Sequence, residues 1–277
     1  FHPKIGIETY LAAKLAKEDL ATVTTFPGHV TPGRLNFIRK PIYTRYNRLI
    51  AVGQGVNGSL MNSYKTYHNV DVIPNCTDIE TVQKMANQPV DHIWLKNNKV
   101  PVLCTVGRII ESKGIDLLIR TTKLLKQKIN IRLLIIGDGP DKNRLEDLIK
   151  RNNAEAYIDM IGYQVNPHKF VARSDAFVFG SFSEGLPTVL VDSMICKTPI
   201  ITTFFKGSIE DVIVKGKTGI IVYKRSEEEM AKAIISLLND KDKREKITQH
   251  ALLFAKRKFS KEKYISKYKK LFDELIS

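Results

Sequence analysis

Cysteine is scarce in this 277-residue sequence, and the three that occur are far apart. Cys76, Cys104 and Cys196 form no C-x-x-C pair, which argues against a disulfide framework or a zinc site and favours a reducing cytoplasm. No apolar run reaches the roughly 18 unbroken residues that a membrane-spanning helix needs. The sequence starts at Phe1 without methionine or a signal peptide, so we expect a piece of a longer protein.

Acidic residues are missing from Leu20 to Val70, within a chain whose formal net charge is +15. Six cations occupy that stretch: Arg34, Arg39, Lys40, Arg45, Arg48 and Lys65. Such a surface can be merely solvated, or it can attract an anionic lipid or a phosphorylated acceptor. Because there is no aromatic-interleaved basic motif of the RNA-binding kind, we expect no nucleic-acid partner.

The sequence is rich in apolar runs that alternate with helical patterns. After residue 99 the runs are VPVLCTVG, IRLLIIG, YIDMIG, DAFVFG, PIITT and TGIIV, which are typical of buried parallel strands. Helical patterns lie between them at 115–128 and 141–152, and a third helix opens with the capping pair Ser226 and Glu229. This alternation predicts an α/β fold, a doubly wound parallel sheet with helices on both faces.

The first 98 residues alternate in the same way but contain too few strands for a complete sheet. A helix at IGIETYLAAKLAKE precedes strands at LATVTTF, YNRLIAVG and NVDVIPN. We expect the second half of an N-terminal α/β domain at 1–98 and a complete domain at 99–257. The chain ends in an amphipathic helix at 258–277. Its apolar side comprises Tyr264, Tyr268, Leu271, Phe272 and Leu275.

Three glycines after a predicted strand spell G-x-G-x-x-G: Gly53, Gly55 and Gly58. This is the context of a dinucleotide-binding turn, and Asp71 or Asp78 lies at about the right distance to hold a ribose. An NAD-dependent oxidoreductase is therefore one alternative. It would need hydride-site residues and a complete N-terminal nucleotide fold.

The residues after each strand are the candidate ligand contacts, because open α/β sheets bind ligands at the carboxyl ends of their strands. A diphosphate fits two cations, Arg108 and Lys113, together with the free amides of Thr188, Val189 and Leu190 where a helix begins. Glu184 and Asp192 flank that helix start about two turns apart, so they could hold hydroxyls of two different sugars. The remaining candidates are Gly107, Gly137, Gly139, Gly162, Tyr163, Gly185, Leu186 and Pro187.

These segments together resemble the donor site of retaining GT-B glycosyltransferases of family 4. The resembling segments are SFSEGLPTVLVDSMICKTPII, with the family's pattern of two carboxylates eight apart, VGRIIESKGIDLLI, LLIIGDGPDKNRLE, and IAVGQGVNGSLM with VDVIPNCTD. The resemblance runs from about Leu49 to the C-terminus. It implies two Rossmann-like domains facing a cleft, with the N-terminal acceptor domain partial in this chain and the last helix crossing back to it.

The resemblance also implies what the candidate residues do with a nucleotide-sugar donor. Arg108 and Lys113 would stabilise the leaving diphosphate. Glu184 would contact the transferred sugar, Asp192 the ribose, and Tyr163 would lie near the base. Asp192 departs from the family's glutamate and is one methylene shorter, so its ribose contact could be water-bridged.

Further departures concern the N-terminal part of the cleft. TTFPGHV has Pro27 where the family has a histidine near the transferred sugar. His29, and His2 in FHPK, are therefore candidates for contact with the sugar or the acceptor. The alternative is that both are ordinary loop histidines. In the family the segment at Gly53 binds no dinucleotide. The G-x-G-x-x-G match is therefore interpreted as accidental, although a bare backbone at Gly53 could admit an acceptor phosphate.

We expect no metal, because the one Asp-x-Asp match, Asp240 to Asp242, lies at a helix end among lysines and is interpreted as a solvated turn. The predicted activity is retaining transfer of a hexose or N-acetylhexosamine from a UDP-sugar to a lipid-linked glycan or lipopolysaccharide. We place it at the cytoplasmic face of an anionic membrane, with four aromatic residues among the cations of 20–70. The alternatives are a small soluble acceptor or a non-catalytic basic module that binds lipid or nucleic acid. The four aromatic residues are Phe26, Phe37, Tyr43 and Tyr46.

Overall fold

The computed structural model describes residues 21–30, 36–64, 69–96 and 99–277. The helix expected at IGIETYLAAKLAKE and the candidate His2 lie outside these ranges. Arg34, Lys65 and the side chains of Phe37 and Arg39 also lie outside the described part.

The N-terminal unit is built on a three-stranded parallel sheet. Its strands, in spatial order, are β1 (Val23–Phe26), β2 (Arg48–Ala51) and β3 (Val70–Val72). Its helices are α1 (Asn36–Tyr43) and α2 (Gln54–Tyr64). The next two helices, α3 (Ile79–Ala86) and α4 (Ile93–Lys96), lead into the C-terminal unit, and α3 packs against helices of that unit. The three apolar runs expected to be strands here are strands.

The C-terminal unit is built on a six-stranded sheet that is parallel throughout. The strands of this unit are β4 (Val102–Val106), β5 (Arg132–Ile136), β6 (Ile158–Met160), β7 (Ala176–Phe179), β8 (Ser183–Glu184), β9 (Ile200–Thr203), β10 (Lys206–Gly207) and β11 (Ile220–Val222). The large sheet has the order β11-β9-β7-β4-β5-β6, and β8 pairs with β10 apart from it. Every apolar run predicted as a strand after residue 99 is one of the six, so the predicted α/β fold is confirmed.

Helices cover both faces of the six-stranded sheet. They are α5 (Ile115–Lys126), α6 (Lys142–Arg151), α7 (His168–Val171), α8 (Thr188–Ile195), α9 (Ile209–Val212), α10 (Glu227–Leu238) and α11 (Lys241–Lys258), and α12 (Lys261–Ile276) follows them. Alternate residues of one strand enter different cores: Cys104 belongs to one apolar cluster and Leu103 to the other. This alternation is the signature of a doubly wound sheet.

Side-chain caps begin the helices at the expected places. The Ser226 hydroxyl accepts a hydrogen bond from the Glu229 amide at 3.2 Å, as the capping pair predicted. Asp240 accepts from the Lys243 amide at 2.9 Å and starts α11. The Asp-x-Asp match is therefore a helix cap.

The last helix, α12, packs on the N-terminal sheet. Leu271 forms a small cluster with Ile50 of β2 and Ile73, which follows β3. Lys267 Nζ donates to the Val72 carbonyl at 2.9 Å, and Glu274 pairs with Arg48 at 3.5 Å. Phe272, expected on the packed side, is 46% exposed.

Aromatic residues of the acid-free stretch lie inside the N-terminal unit. Tyr43 and Tyr46 are buried, and Phe26 packs edge-on against Tyr43 with ring centroids 5.1 Å apart. The interpretation of these three residues as a membrane-facing aromatic surface is therefore wrong. A sheet of three short strands needs large side chains to fill the space beneath its helices. Among the described residues, no helix combines the length and the apolarity needed to span a bilayer.

The two units touch at the start of α2. A Cβ at Gly55 would lie 2.3 Å from the carbonyl group of Gly207, so two backbones meet here without side chains between them. The Asp211 carboxylate accepts from the Gln54 amide at 2.5 Å, and Lys258 Nζ donates to the Asp211 carbonyl at 2.6 Å. The G-x-G-x-x-G segment therefore joins the two units, and a carboxylate holds the helix end where a dinucleotide fold binds pyrophosphate.

Alanine substitutions in α2 test this junction. Gly58 has open space around its Cα, so Gly58→Ala should raise the free energy of unfolding by up to about 1 kcal/mol through helix propensity. Gly55→Ala should lower it by about 1–3 kcal/mol, because the new Cβ overlaps Gly207. Urea unfolding of both variants provides the comparison. Equal stabilisation by both would contradict the observed contact.

Candidate functional site

Four predicted glycines lie side by side at the carboxyl edge of the six-stranded sheet. The Gly107 amide donates to the Ile136 carbonyl at 3.0 Å, and the Gly137 amide donates to the Gly162 carbonyl at 2.9 Å. Gly139 packs against the backbone of Ile109. The loops after β4, β5 and β6 are thus joined into one surface.

Two predicted side chains on this surface face solvent. Tyr163 is 71% exposed next to Gly162. Arg108 is exposed and makes no ion pair with any residue in the described ranges. An arginine that follows a strand is often used in an internal ion pair, but this guanidinium is left available to a ligand.

Lys113 and Glu184 form the central ion pair of the site. Lys113 ends a 3₁₀ turn after β4, and its Nζ lies 2.6 Å from Glu184 Oε1 on β8. The Ser181 hydroxyl lies 2.6 Å from the same oxygen. The lysine and glutamate side chains are only 24% and 12% exposed, so the pair is partly shielded from water. The sequence analysis predicted that Lys113 and Glu184 lie at the same edge of the sheet, but it did not identify Ser181.

Asp192 has its own partners, which the sequence analysis missed. Asp192 Oδ2 lies 3.3 Å from His168 Nε2, and Oδ1 accepts from the Thr77 hydroxyl at 3.4 Å. Thr77 belongs to the N-terminal unit, within the segment VDVIPNCTD. The carboxylate therefore lies where the two units meet, apart from the Lys113–Glu184 pair. In the sequence, only the spacing of Asp192 from Glu184 pointed to Asp192 as a site residue.

Helix α8 begins at Thr188, as predicted. Buried Pro187 occupies the cap position, and its carbonyl accepts from the Leu190 amide at 3.0 Å. That bond corrects the expectation that the Leu190 amide is free. The amides of Thr188 and Val189 remain at the open end of the helix, where an anion is favoured.

A loop of the N-terminal unit closes over this edge. A Cβ at Gly185 would lie 1.9 Å from the Pro27 carbonyl oxygen, so the loop after β1 touches the site directly. The His29 ring lies beside Gly207, which pairs in register with Glu184. His29 Nε2 and Ser208 Oγ are buried and have no hydrogen-bond partner in the described part. The unpartnered His29 Nε2, on the loop that faces β10, suits a polar ligand.

Gly53 lies at the same junction, against Ser208 and Asp211. The acceptor contact considered for Gly53 remains a prediction. The described ranges contain no group of three or more His, Cys, Asp or Glu side chains placed to hold a metal ion.

Arg225 fixes the loop that carries Glu184, and no sequence pattern singled it out. Its guanidinium donates to the carbonyls of Gly180 and Ser181 at 2.6 and 3.2 Å and stacks on Phe182, with Cζ 3.3 Å from the ring centroid. The Phe182 amide in turn donates to the Ser112 carbonyl at 2.8 Å. Partial burial lowers the pKa of Arg225, which remains charged. The loops that carry Lys113 and Glu184 are thereby held together.

Comparison with known proteins gives a family match. Residues 88–254, more than half of the chain, match the model described as Glycosyl transferases group 1. An uncharacterized glycosyltransferase of Methanocaldococcus jannaschii is 32% identical over 175 residues, covering 62% of this chain and 43% of that protein. N-acetylgalactosamine-N,N'-diacetylbacillosaminyl-diphospho-undecaprenol 4-alpha-N-acetylgalactosaminyltransferase of Campylobacter jejuni is 26% identical over 205 residues, covering 74% of this chain and 54% of that protein.

Among solved structures, HepE of Anabaena in complex with UDP-glucose has a similar fold. Its TM-score is 0.83 at 18% identity, covering 98% of this chain and 77% of that chain. This likeness shows the GT-B fold. The chain spans about half the length of the curated relatives it matches.

Substitution of Arg225 tests how the site is held. Arg225→Ala should lower the free energy of unfolding by about 2 kcal/mol, because it removes hydrogen bonds from a charged donor and a stacked pair. Hydrogen exchange of residues 180–184 should become faster. Arg225→Lys should recover only part of the loss, because an ammonium group lacks the planar fork. The exposed neighbour provides the control: if Lys224→Ala has an equal effect, the loop is not held by Arg225.

Proposed function

Because this chain belongs to the glycosyl transferases group 1 family, we propose that the protein transfers a sugar from a nucleotide diphosphate to an acceptor. One observation carries the proposal. A half-buried Lys113–Glu184 pair, an available Arg108 and the open start of α8 lie at the ends of neighbouring strands, opposite the loop of His29. Cations and helix amides suit phosphates, whereas a carboxylate beside a lysine suits sugar hydroxyls.

The donor we infer is a UDP-sugar, which carries a hexose or an N-acetylhexosamine. HepE, whose fold is similar, was solved in complex with UDP-glucose. In this proposal Arg108 and Lys113 neutralise the diphosphate as it leaves, and they need no metal ion to do so. Glu184 orients the transferred sugar, Asp192 holds the ribose, and Tyr163 lies near the base.

We further infer the retaining mechanism of family 4, on the resemblance of the SFSEGLPTVLVDS segment. His29 is the candidate for the family's cleft histidine, since its ring lies beside Gly207 and its Nε2 has no partner in the described ranges. The pyrophosphate site of an NAD-dependent enzyme is disfavoured at α2, because the Asp211 carboxylate would repel an anion there.

The acceptor we propose is a lipid-linked glycan or a cell-surface polysaccharide. The Campylobacter jejuni relative is named for transfer to a diphospho-undecaprenol glycan. We assign residues 1–98 to the acceptor domain, 99–257 to the donor domain and 258–277 to the returning helix. The three cysteines are free thiols, which supports a cytoplasmic location. We place the protein at the inner membrane face because the proposed acceptor is lipid-linked.

A nucleotide screen on the full-length protein tests the proposed function. In buffer that contains EDTA, UDP should raise the melting temperature and NAD should not. At a concentration about 100 times its Kd, a ligand adds about 2.7 kcal/mol to the stability of the folded state. A response to NAD alone would support the oxidoreductase, and no response to either nucleotide would support a non-catalytic module. A UDP response that is abolished by EDTA and restored by Mg²⁺ would contradict metal independence.

Separate substitutions test the roles of the two carboxylates. Asp192→Ala should chiefly weaken UDP binding, because we place Asp192 on the ribose. Glu184→Gln should chiefly lower turnover with little change in UDP affinity, because we place Glu184 on the transferred sugar. Calorimetry with UDP and turnover with a UDP-sugar measure the two effects separately. Equal loss of UDP affinity in both variants would contradict the division.

A further inference from the structure

Helix α11 presents one exposed leucine, here called the Leu253 ridge, on the side that its own packing does not use. Ile247, Ala251 and Ala255 form its buried stripe. Leu253 lies two residues from Ala251, about 200° around the helix, and is 65% exposed. The protein therefore keeps a large aliphatic side chain in solvent although folding does not require it there.

A groove runs beside this ridge, between α11 and the turn that follows α9. Its volume is about 800 Å³. Three of its lining residues are apolar, and the others are basic or neutral polar. The lining residues are Val214, Lys217, Thr218, His250, Leu253, Phe254, Lys256 and Arg257, and together they are called the α11 groove.

The cations of the α11 groove have no structural task in the described part of the chain. Lys217, Lys256 and Arg257 are exposed, and their side chains form no ion pair there. The neighbouring Lys258 differs, since it holds Asp211 at the junction of the two units. Three unpaired cations beside apolar side chains are complementary to a ligand that is anionic at its surface and apolar beneath.

We propose that the α11 groove and the Leu253 ridge dock on an anionic phospholipid bilayer. Lipid phosphates would meet Lys217, Lys256 and Arg257, and Leu253 would enter the boundary between headgroups and acyl chains. The stretch 20–70 is the weaker candidate, because Phe26, Tyr43 and Tyr46 pack inside and Arg48 is paired with Asp71 and Glu274. The α11 groove, by contrast, presents exposed cations and an exposed leucine at one place.

The docked groove would bring the junction of the two units to the membrane. Lys258 ends α11 and reaches the Asp211 carbonyl, while Asp211 binds the Gln54 amide of the N-terminal unit. Docking there would suit the lipid-linked acceptor of the proposed function, and this part of the proposal rests on that function. The binding itself requires no catalysis.

Co-sedimentation of the full-length protein with vesicles tests the proposal. The protein should bind phosphatidylcholine vesicles weakly. It should bind vesicles that also contain phosphatidylglycerol more strongly, and added salt should weaken that binding. Lys256→Gln with Arg257→Gln should lower the partition coefficient roughly 25-fold, about fivefold for each cation near the surface. Leu253→Ser should lower it about tenfold at unchanged net charge.

A matched control separates the groove from general charge. Lys150→Gln with Arg151→Gln removes the same charge from α6 and should change the partition coefficient less than about twofold. Equal losses of vesicle binding in these two double variants would overturn the proposal. It would also be overturned if a third double variant, Lys40→Gln with Arg45→Gln, abolished vesicle binding and the α11 variant did not. A change of oligomeric state in Leu253→Ser with unchanged vesicle binding would instead assign the ridge to a second copy of this chain.

The UDP melting shift, measured on the same variants, keeps the two proposals apart. The groove variants should retain the wild-type UDP response, because none of their substituted residues lies at the donor site. An absent UDP response in the wild-type protein would overturn the proposed function and leave the vesicle result standing. Vesicle binding that ignores lipid charge would overturn the docking surface and leave the donor site standing.

Discussion

Close approach of bare backbones sets how the two units of this protein meet, and the arrangement of the candidate site depends on it. Gly55 of α2 lies against Gly207 of β10, and Gly185 lies against the Pro27 carbonyl. β10 pairs in turn with β8, the strand that carries Glu184. A side chain at either glycine would push the units apart and move the carboxylate that we place on the transferred sugar. The Asp211 carboxylate adds a directional bond, since it caps α2 from the other unit.

The charges of the site divide into those already engaged and those left available. Lys113 is engaged by Glu184, and Ser181 supports the same carboxylate oxygen. Arg108 and the first amides of α8 are left for an anion. A diphosphate entering this edge would therefore meet positive groups that need little rearrangement, and Lys113 would be shared between phosphate and carboxylate. Preorganised charge of this kind is the main way in which such sites stabilise a leaving group.

The strands of the three-stranded and six-stranded sheets could be predicted because buried parallel strands are near-continuous apolar runs, here alternating with helical patterns. The glycines and cations of the site followed from the rule that ligands bind at the carboxyl ends of strands. The partners of Asp192 could not be found in this way, because His168 and Thr77 lie 24 and 115 residues away in sequence. The same holds for the Asp211 cap, which is 157 residues from Gln54.

The aromatic residues show a different limit of sequence reasoning. Tyr43 and Tyr46 stand among exposed cations in the sequence, yet they are among the most buried side chains of the N-terminal unit. Local composition does not reveal which side of a short helix faces the sheet. Leu253 is the opposite case, because an apolar residue in a helix is ordinarily buried and this one faces solvent.

Hydrogen exchange of the full-length protein with and without UDP tests the central claim most directly, because it locates the ligand without assuming a sugar or an acceptor. UDP should slow exchange in segments 107–114, 137–139, 162–163 and 184–192. Exchange at the start of α2, residues 53–58, should not be protected by direct contact with the nucleotide, since Asp211 holds that helix end. Protection centred on residues 53–58 with none at 107–114 or 184–192 would contradict the proposed donor site.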